Sequence, residues 1–256
     1  MSEDIAAKTA VDTHAAKPPL REVLVGSHAK LVPLSTLHSH ELYMHLCKEL
    51  QSSTFAYLGH GPFENEQEFE TFIAQRVTPS TTIPSRESDP VFFAVITQQA
   101  ILKEREGVTV VVAAPGSAVG YLALTDMNLA HRTIEIGPVT LAPVLQRTTA
   151  STEAVFLAMR YGLDTLGNRR LEWTCDSRNA GSRRAAERLG FTYEGTLRQH
   201  RIHRGRNRDT DLFSIIDGEE WDVRRKALES WLDPSNLVGG RQIRSLENVR
   251  GSMTMG

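Results

Sequence analysis

The chain has 256 residues, 40% hydrophobic and 23% charged, with a formal net charge of −2. That balance excludes a disordered chain and a general polyanion binder, and two cysteines, Cys47 and Cys175, exclude a disulfide scaffold. No apolar run reaches the roughly 18 residues of a membrane span and no apolar leader follows Met1, so the expectation is a cytoplasmic protein.

Residues 1–20 are polar, alanine-rich and end at Pro18-Pro19, which reads as a disordered arm. Val23 to Leu34 reads as an opening strand or hairpin turning at Gly26-Ser27. Leu37, Leu42, Leu46 and Leu50 share helical spacing, and so do Phe69, Phe72, Ile73 and Val77, the second set with Asn65 as cap. Thr78 to Pro90 is a Pro/Ser/Thr-rich loop. Val91–Thr97, Val108–Ala113, Ala118–Thr125 and Thr133–Leu141 read as strands, with Gln98–Gly107 a charged connection. Thr152–Leu166 is a helix, Leu171–Cys175 a short strand, and Tyr193–His203 with Asp211–Ile216 a hairpin. A last helix, Trp221–Leu232, stops at Asp233-Pro234, and the glycine-rich tail from Gly239 reads as loose. The order specifies an α+β domain with a mixed, mainly antiparallel sheet of six to seven strands and one βαβ unit near its middle. Its expected limits are 21–221, with the arm 1–20 before it and a C-terminal helix and tail at 222–256.

The segment Asn179 to Gly195 carries the most information. It reads as a polar helix start, an apolar face of Ala185, Ala186 and Leu189, a stop at Gly190, and a strand opening on Phe191 and Tyr193. Ser182 can cap that helix. Asn179 and Ser182 at such a helix mouth are placed to touch a polar ligand, because the first backbone N–H groups there lack partners.

The pattern resembles the GNAT superfamily of acyl-CoA N-acyltransferases, nearest to the ribosomal-protein N-terminal acetyltransferase branch. The matching residues are Glu135-Ile-Gly137, Thr152-Glu-Ala154, Asn179 with Ser182, Leu189-Gly-Phe191 and Glu194-Gly195, with Asp209, Ser214-Ile-Ile216 and Glu220-Trp221 beyond. The resemblance covers about residues 27–221 and implies the GNAT fold, with the strands Thr133–Leu141 and Leu171–Cys175 splayed apart. It implies acetyl-CoA as cosubstrate, no metal, and direct transfer to a primary amine in a ternary complex. The acceptor stays open between a protein N-terminus and a small molecule, as does monomer against homodimer.

By the same resemblance the pyrophosphate is held at Gln146, Arg147, Thr148, Thr149, Ala150, Ser151 and Thr152, where the helix dipole favours an anion. Arg147 and Thr149 stand where the family carries glycines, so side-chain binding of phosphate and a degenerate, non-binding turn are both open. The pantetheine arm is expected along Val139, Thr140 and Leu141, with Asn179, Ser182 and Arg183 completing the coenzyme site. Glu135 is the first choice for general base and Ser182 for reprotonating the thiolate; a plain strand carboxylate and a helix cap are the competing readings.

His38, His40 and His45 do not share one helix face, and no complementary ligands complete a metal set. Cys175 has no histidine near it in sequence and reads as core. Arg198, Arg201, Arg204, Arg206 and Arg208 form a basic hairpin, read first as solvated, then as a site for an acidic ligand, and last as a nucleic-acid surface. Two other functions therefore stand beside acetyl transfer: an acyl-CoA-sensing module without catalysis, and an RNA-associated protein using the arginine hairpin.

Overall fold

The computed structural model describes residues 12–48, 54–77, 89–238 and 241–253. Strands β1 (Leu24–Val25) and β2 (Ala29–Pro33) form the opening hairpin around Gly26-Ser27. Helix α1 spans Ser39–Leu46 and helix α2 spans Glu66–Ala74. Asn65 caps α2 as its side chain predicts, accepting from the Glu68 amide at 2.9 Å. The predicted continuation of α1 to Leu50 and the Thr78–Pro90 loop lie largely outside the described residues.

Strand β3 (Val91–Thr97) is buried along its whole length, in keeping with its unbroken apolar run. The charged connection after it contains a strand, β4 (Ile101–Arg105), which pairs with β5 (Val108–Ala113) as a separate ribbon. Then come β6 (Ala118–Asn128), β7 (Thr133–Leu141), α3 (Thr149–Arg160) and β8 (Arg170–Asp176). A π-helical turn over Tyr161–Thr165 ends α3, where a plain helix to Leu166 is expected from spacing. Helix α4 (Ala180–Leu189) and the hairpin β9 (Thr192–His203) and β10 (Arg206–Ile216) follow. Gly190 takes φ 102° just past α4, and a Cβ there would sit 2.6 Å from the Arg224 side chain, so this helix stop demands glycine.

The main sheet has eight strands in the order β1-β2-β3-β6-β7-β8-β10-β9, one or two more than expected, because β1 and β2 pair and join it. All its pairings are antiparallel except β7 with β8. That parallel pair is joined by right-handed βαβ logic through α3.

The two ends of the chain are the larger corrections. Residues 12–20 are not loose: Ala16 N–H donates to Leu129 O at 2.9 Å, and Lys17 N–H to Leu166 O at 2.8 Å. The tail after Gly239 forms β12 (Arg241–Gln242), paired with β11 (Leu237–Val238), and helix α6 (Leu246–Met253). Leu246 and Val249 of α6 join Leu228 and Trp231 of α5 (Glu219–Leu232) in the common core. The expected boundary at 221/222 falls inside α5, whose Trp221 donates to Asp164 Oδ1 at 2.5 Å. No helix among the described residues is long and apolar enough to cross a membrane.

Candidate active site

Strands β7 and β8 pair at only three positions, Thr133 with Arg170, Ile134 with Leu171 and Glu135 with Glu172. Beyond Glu135, β7 pairs only with β6 on its other side, through Ile136, Val139, Thr140 and Leu141. The edge of β7 facing β8 is therefore open there, and its backbone groups are available to a ligand lying in the gap. A cleft of about 1920 Å³ occupies this gap and reaches the heads of α3 and α4.

The head of α3 begins where β7 ends. Thr148 is its cap, accepting from the Ser151 amide at 3.1 Å and donating to Leu145 O at 2.7 Å. The remaining first-turn amides lack intrahelical acceptors and present the positive end of the helix dipole to the cleft. Arg147 takes φ 64°, the left-handed conformation that glycine adopts freely. The backbone thus keeps the shape a glycine turn has, and the Arg147 side chain is exposed rather than packed into the turn. Arg147→Gly should raise stability by about 1 kcal/mol by relieving αL strain. A Tm that falls would mean that the guanidinium itself holds the turn.

Val139, Thr140, Leu141, Gln146, Arg147, Thr148, Thr149, Ala150, Ser151, Thr152, Asn179, Ser182 and Glu135 all line this cleft. Arg183 does not. It pairs with the fully buried Asp211 and lies over the Tyr193 ring at 5.4 Å, on the other face of α4. Arg184, one residue on, lines the cleft instead. Asn179, rather than Ser182, caps α4: its Oδ1 accepts from the Ser182 amide at 3.0 Å. Ser182 Oγ accepts from Trp173 Nε1 at 2.9 Å and also hydrogen-bonds with the Cys175 thiol, which fixes the hydroxyl at the cleft wall.

Glu135 is buried at the point where the strands part, with Thr174 Oγ1 donating to its Oε1 at 2.7 Å. Burial raises its carboxyl to about 7, opposed by the Thr174 bond and reinforced by the Asp126 carboxyl hydrogen-bonded to it and by the charge of Glu172. Asp126 sits at a register break between β6 and β7, at φ 48°, and lines the same cleft. The competing reading of Glu135 as a surface carboxylate is excluded by this burial. A carboxyl held near 7 is matched to accepting a proton at neutral pH.

The opposite wall is built by the loop before α2 and the β9–β10 hairpin. His60 lines it, Nε2 2.7 Å from Tyr121 Oη and its ring 4.5 Å from that of Phe72. Burial, then the charges of Arg76 and Arg204, lower His60 to about 4, so it is neutral at pH 7. Arg204 at the hairpin tip ties the two pieces together, donating to Gly61 O at 2.5 Å and Phe55 O at 3.2 Å. Among the described residues no group of three or more His, Cys, Asp or Glu is arranged to hold a metal ion. His38 and His40 have structural partners: the Ser35 amide donates to His38 Nδ1, and His40 Nδ1 meets Glu66 at 2.7 Å.

A family model described as an acetyltransferase (GNAT) domain matches residues 31–192, more than half of the chain. The chain belongs to the GNAT family. A GCN5-related N-acetyltransferase from Brucella melitensis is 36% identical, with TM-score 0.81, the match covering 93% of this chain and 98% of that one. A GNAT-family chain from Chromobacterium violaceum is 37% identical, with TM-score 0.68 over 85% of this chain and 98% of that one. An uncharacterized N-acetyltransferase of Bacillus subtilis, YoaA, is 31% identical over 102 residues, 40% of this chain and about half, 55%, of the relative.

Several residues of this GNAT-family cleft carry no signal in the sequence. Asp126 reaches Glu135 only because of the register break, and His60 is placed by a loop whose path sequence spacing does not specify. Gln242, Glu247 and Arg250 come from the tail expected to be loose. Thr149 Oγ1 donates to Gln242 Oε1 at 3.2 Å, and Arg188 Nη1 donates to Thr152 Oγ1 at 3.0 Å, so the head of α3 is buttressed by α4 and by the C-terminal segment.

Proposed function

We propose that the protein transfers an acetyl group from acetyl-CoA to a primary amine, by direct attack within a ternary complex. The observation that supports this reading is the buried carboxyl of Glu135, lining the cleft at the point where β7 and β8 separate. Acetyl-CoA fits the donors present: first-turn amides of α3 for the pyrophosphate and the open edge of β7 for the pantetheine arm. When bound, it supplies the activated acyl carbon.

The chain's own residues do the rest. A backbone N–H of the open β7 edge near Val139–Leu141 hydrogen-bonds the developing oxyanion. Glu135 takes a proton from the acceptor ammonium, directly or through water, and the neutral amine then attacks the thioester carbonyl. Its help matters most for an alkyl amine, of which only roughly 0.04% is neutral at pH 7; an α-amino group, with pKa about 7.7–8.0, gives up about 1 kcal/mol. In this reading the Ser182 hydroxyl, held by Trp173, returns a proton to the departing thiolate. The Asn179–Ser182 pair at the head of α4 supports a position near the ribosomal-protein N-terminal acetyltransferase branch.

Calorimetry with acetyl-CoA and a thiol-release assay over an amine panel test the reading. Binding together with release of free coenzyme A supports it; binding with no turnover of any amine leaves a sensing module. Thr149→Asp places a carboxylate at the head of α3 and should weaken coenzyme binding by about tenfold or more, while the helix itself gains from the charge. Unaltered affinity would mean that the pyrophosphate lies elsewhere.

A further inference from the structure

We propose that the acceptor is a small amine that carries its own anion, a carboxylate or a phosphate, and that Arg201 and Arg208 hold that anion. The proposal rests on the acetyl-transfer reading and names the substrate class of the same cleft.

Arg201 and Arg208 are direct cross-strand partners in the β9–β10 hairpin, and both line the cleft that contains Glu135. Two like charges placed opposite each other on antiparallel strands repel. The nearest carboxylates form their hydrogen bonds elsewhere, although Asp176 is close enough to Arg208 to feel its charge. Asp176 is committed to Arg178 at 2.8 Å, and Asp211 to Arg183 and the Thr196 hydroxyl. Asp209 accepts from the Gln199 amide and from Asn207 Nδ2, both at 2.7 Å. Among the described residues neither Arg201 nor Arg208 forms a direct ion pair. Arg208 Nε and His203 Nε2 are buried with no hydrogen-bond partner, an arrangement that costs free energy until an acceptor arrives.

The backbone is shaped for the same purpose. The register shifts between Arg208 and Thr210, and Gln199 adopts φ 51°, so a bulge re-aims the hairpin side chains beside the cleft. Gly59, Arg201, His203 and Arg208 bound a side pocket of about 220 Å³. Its volume is several times the roughly 30 Å³ share of one water, which suits a carboxylate or phosphate on a few carbons. The tie of Arg204 to Gly61 and Phe55 braces the adjacent loop, which favours a small acceptor over a polypeptide. A guanidinium pair recognises either oxyanion by paired N–H donors. The carboxyls of Asp126 and Glu135 at the reacting end receive the ammonium of the same molecule, so the two charges of the acceptor meet opposite charges.

The experiment uses the full chain saturated with coenzyme A for binding and with acetyl-CoA for turnover. The probes are β-alanine, O-phosphoethanolamine, neutral-tailed ethanolamine, spermidine and a short uncharged-side-chain peptide with a free N-terminus and an amidated C-terminus. At least one anionic amine should exceed ethanolamine in kcat/KM by about tenfold or more. Comparing β-alanine with O-phosphoethanolamine decides between carboxylate and phosphate. Arg201→Gln and Arg208→Gln should lower that preference ratio at least about tenfold through KM, with Arg208→Lys recovering part of it. Preference for spermidine, ethanolamine or the peptide overturns the proposal. So does a loss of acetyl-CoA affinity in the arginine variants, which would assign these side chains to the coenzyme. Binding of anionic amines that the variants abolish, without any thiol release, upholds the anion site and sinks the acetyl-transfer reading instead. Failure of both anionic amines to bind overturns the anion site alone.

Discussion

Glu135→Gln should lower kcat/KM for amine acetylation by about 10²–10⁴-fold, the range a positioned general base supplies, with acetyl-CoA affinity unchanged. The amide keeps the size of the carboxyl and can still meet Thr174 Oγ1, so the change removes proton acceptance and little else. The pH profile gives a sharper check. Glu135 acts as base only when ionised, and burial holds its carboxyl at about 7. The wild-type rate should therefore rise with pH through about 7, and the variant should lack that limb. The sign for stability is the reverse. Between the ordinary carboxyl value of 4.5 and about 7 the folded chain keeps a proton that the unfolded chain releases, so stability falls as pH rises through that window. Above it the folded chain carries a buried charge. Glu135→Gln removes that charge and should raise Tm at pH 8, while leaving it little changed at pH 4. A variant less stable at both pH values would make Glu135 a structural ligand of the strand junction.

Glu153→Ala should have the largest effect on stability, about 3 kcal/mol or more by urea unfolding. The Glu153 carboxylate, buried in α3, accepts from three backbone amides of the β1–β2 hairpin: Ser27 at 2.9 Å, His28 at 2.5 Å and Ala29 at 2.7 Å. Alanine offers these amides no acceptor, and the Ala29 amide is buried away from water. The carboxylate is packed so closely under the turn that a Cβ on Gly26 would fall 2.4 Å from it. Gly26→Ala should therefore destabilise too, by pushing the carboxylate from its amides. A loss below about 0.5 kcal/mol for Glu153→Ala would mean that solvent serves the hairpin equally well. The same contact binds the first strands to the helix whose head faces the cleft.

The legible parts of this chain are those where local chemistry and tertiary packing agree. The Asn65 cap, the fully apolar Val91–Thr97 strand and the Gly190 stop each follow from side-chain identity alone. The splay of β7 and β8 was legible only through the family resemblance, because nothing in the spacing of Ile134, Ile136 and Val139 tells where a parallel pairing ends. The family resemblance singles out Glu135, whereas the strand pattern alone reads it as a plain carboxylate; its burial comes from β8, and Asp126 is brought beside it by a register break that no local signal marks. Arg183 and Arg184 are adjacent in sequence; which one faces the cleft is set by the pairing of Arg183 with Asp211, a partner 28 residues away. The polar arm and the glycine-rich tail looked loose because they are short of apolar residues. In the fold the arm is held by backbone hydrogen bonds, and the tail by the buried Leu246 and Val249 and by Arg250, which donates to the Arg188 carbonyl at 2.9 Å.

The most direct measurement is a crystal structure with acetyl-CoA bound. The account predicts the pyrophosphate at the first-turn amides of α3, the pantetheine arm along the open edge of β7, and the thioester between β7 and β8 within reach of Glu135. A coenzyme seated elsewhere, or a cleft filled by the Arg147 side chain with β7 and β8 closed upon each other, would contradict it.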